Sequence, residues 1–144
     1  VDNRNSYKLN GTLPVINLLG IAIENKERIE VLKGVGALYY GFAPPSGIVN
    51  LVTKRADRDV TSVGFRAGEH GTIEASADIG RRLSDGFGIR LNGAAASIEN
   101  GVANYRGERT FVSLAADWQA SEVLKFTADV EYSRKDATEL GSIT

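Results

Sequence analysis

The sequence predicts a mainly β protein in which a short mixed segment precedes about five antiparallel strands. Three observations lead to this fold class. Apolar and polar residues alternate with period two along much of the second region, that region contains no proline, and Asp85-Gly86 marks a tight hairpin turn. Composition changes near Ala56–Val60, so we place a domain boundary between residues 1–60 and residues 61–144.

The first region holds all three prolines and short apolar runs that are broken by turn residues. This pattern is typical of a compact segment with short strands. We predict strands over Arg28–Lys33 and Ile48–Lys54. Four apolar side chains of these strands are expected to bury one face: Ile29, Val31, Val49 and Leu51.

The second region predicts five strands, each long enough for a tilted strand to cross a bilayer. They are Thr61–Glu69, Thr72–Arg82, Phe87–Ile98, Thr110–Gln119 and Lys125–Arg134. Short links at Asp85-Gly86 and Ala120–Leu124 contrast with a long polar link at Glu99–Arg109, an asymmetry expected of outer-membrane barrels. The link at Gly68–Gly71 is short although it belongs to the long side.

Alternation alone leaves two interpretations open, because a water-soluble antiparallel sheet with one buried face shows the same pattern. The apolar faces are rich in Ala and poor in large aliphatic residues. Such faces would make a thin core in water, whereas lipid tails need no interdigitating partner. Composition therefore favours strands that face lipid.

Charge and composition exclude several other classes. A net charge of −1 provides no basic field for nucleic acid, and the absence of cysteine excludes disulfides and thiolate metal sites. The longest apolar run, Leu13–Ile23, contains Asn17 and Gly20 and is too short for a transmembrane helix. The chain starts without methionine, and we expect it to be an internal piece of a longer protein.

Few residues suggest covalent chemistry, and we predict no catalytic residue and no metal ligand. The spacing of Gly34, Gly36 and Gly41 does not match a phosphate-binding loop. His70 stands alone in a predicted turn, where a histidine is usually just solvated. Asn10-Gly11-Thr12 matches a glycosylation acceptor, a short pattern that also arises by chance.

Three carboxylates, Asp117, Asp129 and Glu131, are expected on one face of neighbouring strands. Paired carboxylates can perform acid–base chemistry, but a hydrated polar lumen is the favoured interpretation. The basic stretch Thr53–Arg55 follows an apolar strand. It is expected to be a surface patch or, more simply, the point where that strand ends in water.

Three pieces in fixed order carry a resemblance: "ERIEVLKG" (27–34), "ALYYG" (37–41) and "PPSGIVNLVTKRA" (44–56). They resemble the closing half of the plug domain in TonB-dependent outer-membrane receptors, siderophore-receptor branch. "SYKLNG" (6–11) is similar to the plug strand upstream. The family usually has other residues at Val35 and Ser46, both compatible with the turns. The resemblance assigns a structural plug motif to Arg28, Glu30, Lys33, Gly34, Tyr40, Gly41, Gly47 and Asn50.

The resemblance implies the C-terminal half of a mixed α+β plug domain followed by about five strands of an incomplete outer-membrane β-barrel. The parent would be a receptor in the outer membrane of a Gram-negative bacterium. It would take up ferric siderophores with energy from periplasmic TonB, whose contact box is expected outside these residues. The implied partners are an iron chelate, TonB and outer-membrane lipid, without nucleic acid, cofactor or enzymatic activity.

The long link is the external-side candidate for ligand contact within this chain. Arginine can pair with an anionic chelate and tyrosine can stack on it. The candidate residues are Asn100, Asn104, Tyr105 and Arg106. Two alternatives remain open at this point: a soluble all-β module that binds carbohydrate, and, within the family, uptake of cobalamin, haem or a glycan.

Overall fold

The computed structural model describes residues 6–11, 13–14, 21–34, 47–99 and 105–138, and these residues form two separate β-sheets. Their contacts divide the chain into two compact units, residues 1–54 and residues 55–144. This division falls a few residues before the boundary expected from composition. Tyr40 and Gly41 of the plug motif lie outside the described residues, as do Asn100 and Asn104 of the long link.

The first unit contains a four-stranded mixed sheet of order β2-β1-β4-β3. The strands are β1 (Tyr7–Leu9), β2 (Leu13–Pro14), β3 (Lys26–Leu32) and β4 (Ile48–Thr53). β1 runs parallel to β4, and the other two pairings are antiparallel. The predicted strands in this region are confirmed, with ends that differ by one or two residues. No α-helix occurs among the described residues of the chain.

Burial in this sheet is concentrated on β4, which has a strand on each side. Ile48 and Leu51 are only 2% and 3% exposed. The prediction that Ile29 and Val31 are buried is wrong, because they are 52% and 62% exposed. Their register opposite Leu51 and Val49 shows that the four residues do share one face. They are exposed because β3 ends the order of this sheet, a position that alternation cannot reveal.

The second unit contains a five-stranded antiparallel sheet in which each strand pairs with the next along the chain. The strands are β5 (Val60–Ala67), β6 (Ile73–Ser84), β7 (Phe87–Ile98), β8 (Gly107–Gln119) and β9 (Lys125–Ala137). All five predicted strands are confirmed. The two-residue turn at Asp85-Gly86 is confirmed too, since Ser84 pairs with Phe87 across it.

Several predicted strand ends are wrong by a few residues. β8 begins at Gly107 rather than Thr110, and β9 continues to Ala137 rather than Arg134. Gly107 pairs with both Ile98 and Ala137, so pairing on both sides holds this polar stretch in the sheet. Glu69 belongs to a short 3₁₀ turn, Glu69–Gly71, instead of β5. Pairing with neighbouring strands therefore determines these strand ends, which local composition does not predict.

The sheet of the second unit has an apolar face that is open to its surroundings. Val63, Phe65 and Val130 on this face are 81%, 72% and 66% exposed. Near the short turns, the rings of Trp118 and Phe126 stack with centroids 5.6 Å apart. Aromatic residues at one level of a strand array are typical of the membrane interface of a β-barrel. No helix in the described part of the chain is long and apolar enough to cross a membrane.

Candidate functional site: the polar face of the second unit

The opposite face of the same sheet is polar, and its residues form rows that cross the strands. In one row Asp78 lies opposite Asn92, which lies opposite Ser113. Arg90, Asn92 and Ser113 are 5%, 2% and 4% exposed. Buried polar groups of this kind persist in a fold when hydrogen bonds or ion pairs compensate them. Hydrogen bonds and ion pairs between side chains are therefore expected on the polar face.

Arg55 makes the densest set of contacts on this face. Its Nη2 lies 2.8 Å from Asp117 Oδ1, and its Nη1 lies 2.6 Å from Asp129 Oδ1. Nε also donates to both carboxylate oxygens of Asp117 at 3.1 Å, and Nη2 donates to the Ala116 carbonyl at 3.3 Å. The planar guanidinium thus joins β8 to β9, as its fork of donors allows.

The same cluster holds the backbone that leads into β5. The backbone N–H of Ala56 donates to Asp117 Oδ2 at 3.2 Å, and Arg90 Nη1 donates to the Arg55 carbonyl at 3.0 Å. Arg90 in turn forms a two-pronged ion pair with Asp78, with both N···O distances at 2.8 Å. We call these five residues, Arg55, Asp78, Arg90, Asp117 and Asp129, the junction cluster.

Electrostatics in the junction cluster keep Arg55 charged. Burial disfavours the charged guanidinium, but the hydrogen bonds that Arg55 donates to Asp117 and Asp129 outweigh this effect, so the pKa of Arg55 lies above its ordinary value. Two carboxylates held by a permanent cation are poorly suited to exchange protons with a substrate. The cluster is built to hold two strands and a connecting segment together.

The sequence prediction for this face was partly right. Asp117 and Asp129 come together as expected, around Arg55, while Glu131 sits one row away, opposite Ser113. The expectation that Arg55 is a strand end in water is wrong, because its side chain is only 21% exposed. No local pattern could have found its partners, which lie more than 60 residues away along the chain.

In the first unit, Asn50 joins three strands through its side chain. Its Nδ2 donates to Glu30 Oε2 on β3 at 2.8 Å, and its Oδ1 accepts from the backbone N–H of Gly11, after β1, at 2.8 Å. Arg28 Nε donates to the other oxygen of Glu30 at 2.8 Å. Hydrogen bonds from Asn50 and then from Arg28 hold the pKa of Glu30 below its usual value. This part of the predicted plug motif forms a connected network.

Two glycines of the motif have backbone angles that favour glycine. Gly34 has φ +88° and Gly47 has φ +109°. A Cβ on Gly47 would collide with the Leu32 carbonyl oxygen, whereas a Cβ on Gly34 would meet open space. Lys33 is exposed. Gly47 therefore permits close approach of the chain just before β4 to the end of β3.

The predicted ligand loop is described at its C-terminal end. Tyr105 is half-buried and Arg106 is exposed, with Arg106 Nε 3.4 Å from Glu99 Oε1. Arg106 also lines an open groove of about 490 Å³ at the ends of β8 and β9, together with Glu108, Lys135 and Asp136. The role of this loop in ligand contact stays a prediction.

The structure describes two residues that the sequence analysis discussed, His70 and Asn10. His70 is exposed with φ +60°, and no group of three or more potential metal ligands occurs among the described residues. The Asn10 side chain is engaged with Thr53: Oδ1 accepts from the Thr53 backbone N–H at 3.0 Å, and Nδ2 donates to Thr53 Oγ1 at 3.0 Å. These bonds give Asn10 a structural role in the turn after β1.

Comparison with known proteins places this architecture in a class. The chain is 28% identical over 104 residues to the ferrichrome outer membrane transporter/phage receptor of Escherichia coli K12. It is 33% identical over 99 residues to the ferrioxamine receptor of Yersinia enterocolitica. These matches cover 70% and 67% of this chain, and the chain spans 14% of each relative. No family model matches.

A solved structure shows the same fold. The open form of the ferric-catecholate import receptor Fiu from E. coli K12 superposes with a TM-score of 0.85 at 20% identity, over 96% of this chain and 21% of that one. The two-faced meander after a small mixed sheet thus defines a partial plug followed by an incomplete barrel. The predicted resemblance is confirmed: the chain is related by sequence and fold to TonB-dependent outer-membrane receptors of the siderophore branch.

The same comparisons bear on the predicted location and on the predicted lack of enzymatic activity. The relatives are outer-membrane proteins of Gram-negative bacteria, which confirms the predicted location. They are transport receptors rather than enzymes. The soluble carbohydrate-binding alternative is not favoured, since the relatives and the structural neighbours are siderophore receptors.

Proposed function

We propose that this chain is part of an outer-membrane receptor that takes up ferric siderophores with energy supplied through TonB. The first unit would belong to the plug and the second to the barrel wall. The observation that carries the proposal is the two-sided sheet of the second unit. Its apolar face is exposed and its opposite face is polar and charged, as a wall between lipid and an aqueous lumen requires.

The class of ligand is supported by the relatives. Two curated relatives are named as transporter or receptor for the iron chelates ferrichrome and ferrioxamine. Uptake of cobalamin, haem or a glycan has no such support. The receptor performs no covalent chemistry on its ligand in this proposal, and the iron chelate is cargo rather than a cofactor. Tyr105 and Arg106 are the described loop residues proposed to contact it.

The test uses the complete gene that encodes these residues. It is expressed in a Gram-negative host whose own siderophore receptors are deleted, and uptake of radioactive iron is measured with a panel of ferric chelates. We expect uptake of at least one chelate, and none in a matched host without TonB. Failure to transport any chelate, despite receptor present in the outer membrane, would contradict the proposal.

A second measurement asks whether the predicted loop contributes. Arg106→Gln and Tyr105→Ala would each weaken chelate binding, because one removes a charge partner and the other a stacking surface. The control is Glu122→Gln, in the short link at the other end of β8. Binding of the transported chelate to purified receptor gives the readout. Wild-type affinity in both loop variants would remove these residues from the site.

A further inference from the structure

Residues 55–59 come directly before β5 and lie against the polar face of the second unit. The Arg55 side chain reaches β8 and β9 through Asp117 and Asp129. Its carbonyl oxygen accepts a hydrogen bond from Arg90 on β7. The first residue of this segment therefore contacts three strands. We call residues 55–59 the strap.

The rest of the strap continues across the sheet toward β5. The Ala56 backbone N–H donates to Asp117 on β8 at 3.2 Å, and Asp59 Oδ1 accepts from the backbone N–H of Arg82 on β6 at 2.8 Å. Val60 then begins β5, where it pairs with Gly80 of β6. The contacts of the strap thus pass from β9 and β8 to β7 and β6. The strap is attached to four strands before β5 begins.

Two glycines allow the strap to lie close to the sheet. A Cβ on Gly88 of β7 would lie 2.6 Å from the Ala56 carbonyl oxygen, which is too close for any side chain. A Cβ on Gly80 of β6 would lie 3.0 Å from the Arg58 carbonyl oxygen. Ala56 itself is only 6% exposed. The backbone of the strap is therefore packed on the backbone of the sheet and is not a loose linker.

The strap and β5 differ in how they resist a pull on the chain that precedes them. β5 is the first strand in the order of its sheet, and its hydrogen bonds to β6 run perpendicular to the strands. A pull away from the sheet at residue 60 would load these bonds one after another, so β5 would peel off. Arg55 makes several charge-assisted bonds to two strands, and a pull loads these bonds together. A pull from the N-terminal side reaches Arg55 before it reaches β5.

We infer that the strap is a mechanical stop, which keeps a pull on the first unit from reaching β5. This inference rests on the proposed function, in which TonB supplies the pull, and goes beyond it by naming where the pull ends. Arg55 is a positioning residue here, because it acts through Asp117 and Asp129 rather than on the ligand. The first unit can then rearrange in each transport cycle while the sheet of the second unit stays intact.

The first experiment pulls on the complete receptor in a bilayer from a handle at its N-terminus, by atomic force spectroscopy. After the last unfolding event of the first unit, we expect a separate rupture that releases the strap. Its five residues give a step of about 17 Å, at roughly 3.3–3.6 Å per extended residue. Arg55→Gln should lose this step, and Arg134→Gln, which breaks an exposed ion pair on β9, should keep it. A step that persists in Arg55→Gln, or that is missing from wild type, would overturn the inference.

A pair of substitutions on β7 tests the strap without removing a charge. Gly88→Ala places a methyl group against the Ala56 carbonyl oxygen, whereas Gly93→Ala meets nothing closer than 3.8 Å. The step should therefore occur at a lower force in Gly88→Ala and at the wild-type force in Gly93→Ala. Equal forces in these two variants would contradict the close packing of the strap. This pair also serves if Arg55→Gln does not fold.

A second experiment follows the strap during uptake in cells, with the panel of ferric chelates added as a mixture. Ala56→Cys provides a buried reporter in a receptor whose other cysteines are replaced by serine, and a small polar thiol reagent measures its accessibility. With Arg55 in place, labelling should be the same in hosts with and without TonB. With Arg55→Gln added, TonB should raise labelling about tenfold, a modest part of what a largely buried ion pair can contribute.

The outcomes separate the inference from the proposed function. Labelling that depends on TonB while Arg55 is in place overturns the stop and leaves siderophore uptake standing. Labelling in the Arg55→Gln receptor that is absent, or that does not depend on TonB, overturns the stop too. If no chelate is taken up, the proposed function fails, and the pulling experiment still decides whether the strap bears load.

Discussion

At the scale of single residues, Arg55 has contacts that make it costly to remove. It is only 21% exposed and holds both Asp117 and Asp129, which are diagonal neighbours on β8 and β9 and would otherwise lack a shared cation. Removal of one partner from a largely buried ion pair leaves charges that water cannot fully solvate. The junction cluster therefore depends on Arg55 more than on either carboxylate.

Arg55→Gln should destabilise the complete receptor by about 2 kcal/mol, a value below that for fully buried pairs because some solvent reaches the cluster. It should also increase proteolysis at residues 55–59. Urea denaturation in detergent and limited digestion provide the readouts. Arg134→Gln, which breaks an exposed ion pair with Asp136 on β9, is the control and should change stability by less than about 0.5 kcal/mol. Equal effects of the two substitutions would contradict the structural role of Arg55.

Asn50→Ala should release two hydrogen bonds at once, since one side chain bonds both Glu30 and the Gly11 backbone N–H. We expect a loss of about 2 kcal/mol, on the order of one to two buried hydrogen bonds. Hydrogen exchange gives a direct readout, because the Gly11 amide loses its acceptor. An unchanged exchange rate at Gly11 would show that this bond does not form in solution.

Glu30 should make the first unit sensitive to acid. Its pKa is lowered in the folded state, so its stabilising contribution is fully present above its unfolded pKa of about 4.3 and disappears as pH falls through the lower folded value. Glu30→Gln should therefore be less stable than wild type at neutral pH and equal to it in strong acid. Urea midpoints at both pH values test this. Glu27→Gln, on the same strand and exposed, is the control; a gap that persists in acid would contradict the assignment.

At the scale of elements, the end of β3 and the start of β4 need close approach. Gly47→Ala introduces both backbone strain and a collision with the Leu32 carbonyl oxygen, whereas Gly34→Ala introduces strain alone. We expect Gly34→Ala to cost about 1 kcal/mol and Gly47→Ala clearly more. Thermal or urea unfolding of the two variants makes the comparison. Equal costs would mean that β3 and β4 can move apart.

Elements of the second unit were predictable because alternation and turn chemistry agree. β7 was predicted with both ends correct, as its flanking signals are an Asp-Gly turn and a polar link. The start of β8 and the end of β9 were not, because Gly107–Arg109 and Lys135–Ala137 are polar. They become strand by pairing with each other, and Gly107–Arg109 also pairs with Ala96–Ile98. The exposure of Ile29 and Val31 depends on the position of β3 at the edge of its sheet. Strand order of this kind cannot be read from the local sequence pattern.

The candidate sites show the same limit. Period two places Asp117 and Asp129 on one face, so their proximity was predictable. Arg55 comes to them because the segment that leads into β5 lies against the polar face at β8 and β9, a contact between positions distant in sequence. Function was read from the plug motif, whose residues are close together in sequence.

At the scale of the whole molecule, the two faces of one sheet require different surroundings. The apolar face exposes Val63, Phe65 and Val130, while the polar face buries Arg90, Asn92 and Ser113. In water, such an exposed apolar face would cause aggregation. Lipid on one side and an aqueous lumen on the other satisfy both faces. The central claim is therefore that β9 and its neighbours alternate between lipid and lumen.

The most direct test is a scan of single spin labels along β9 in the complete receptor in outer membranes. The chain has no cysteine of its own, so Val130→Cys and Tyr132→Cys can be compared with Glu131→Cys and Ser133→Cys. We predict that oxygen, which dissolves in lipid, reaches labels at 130 and 132, and that a water-soluble nickel chelate does not. Labels at 131 and 133 should show much less contact with oxygen. Absence of this alternation, or water contact at 130 and 132, would contradict the account.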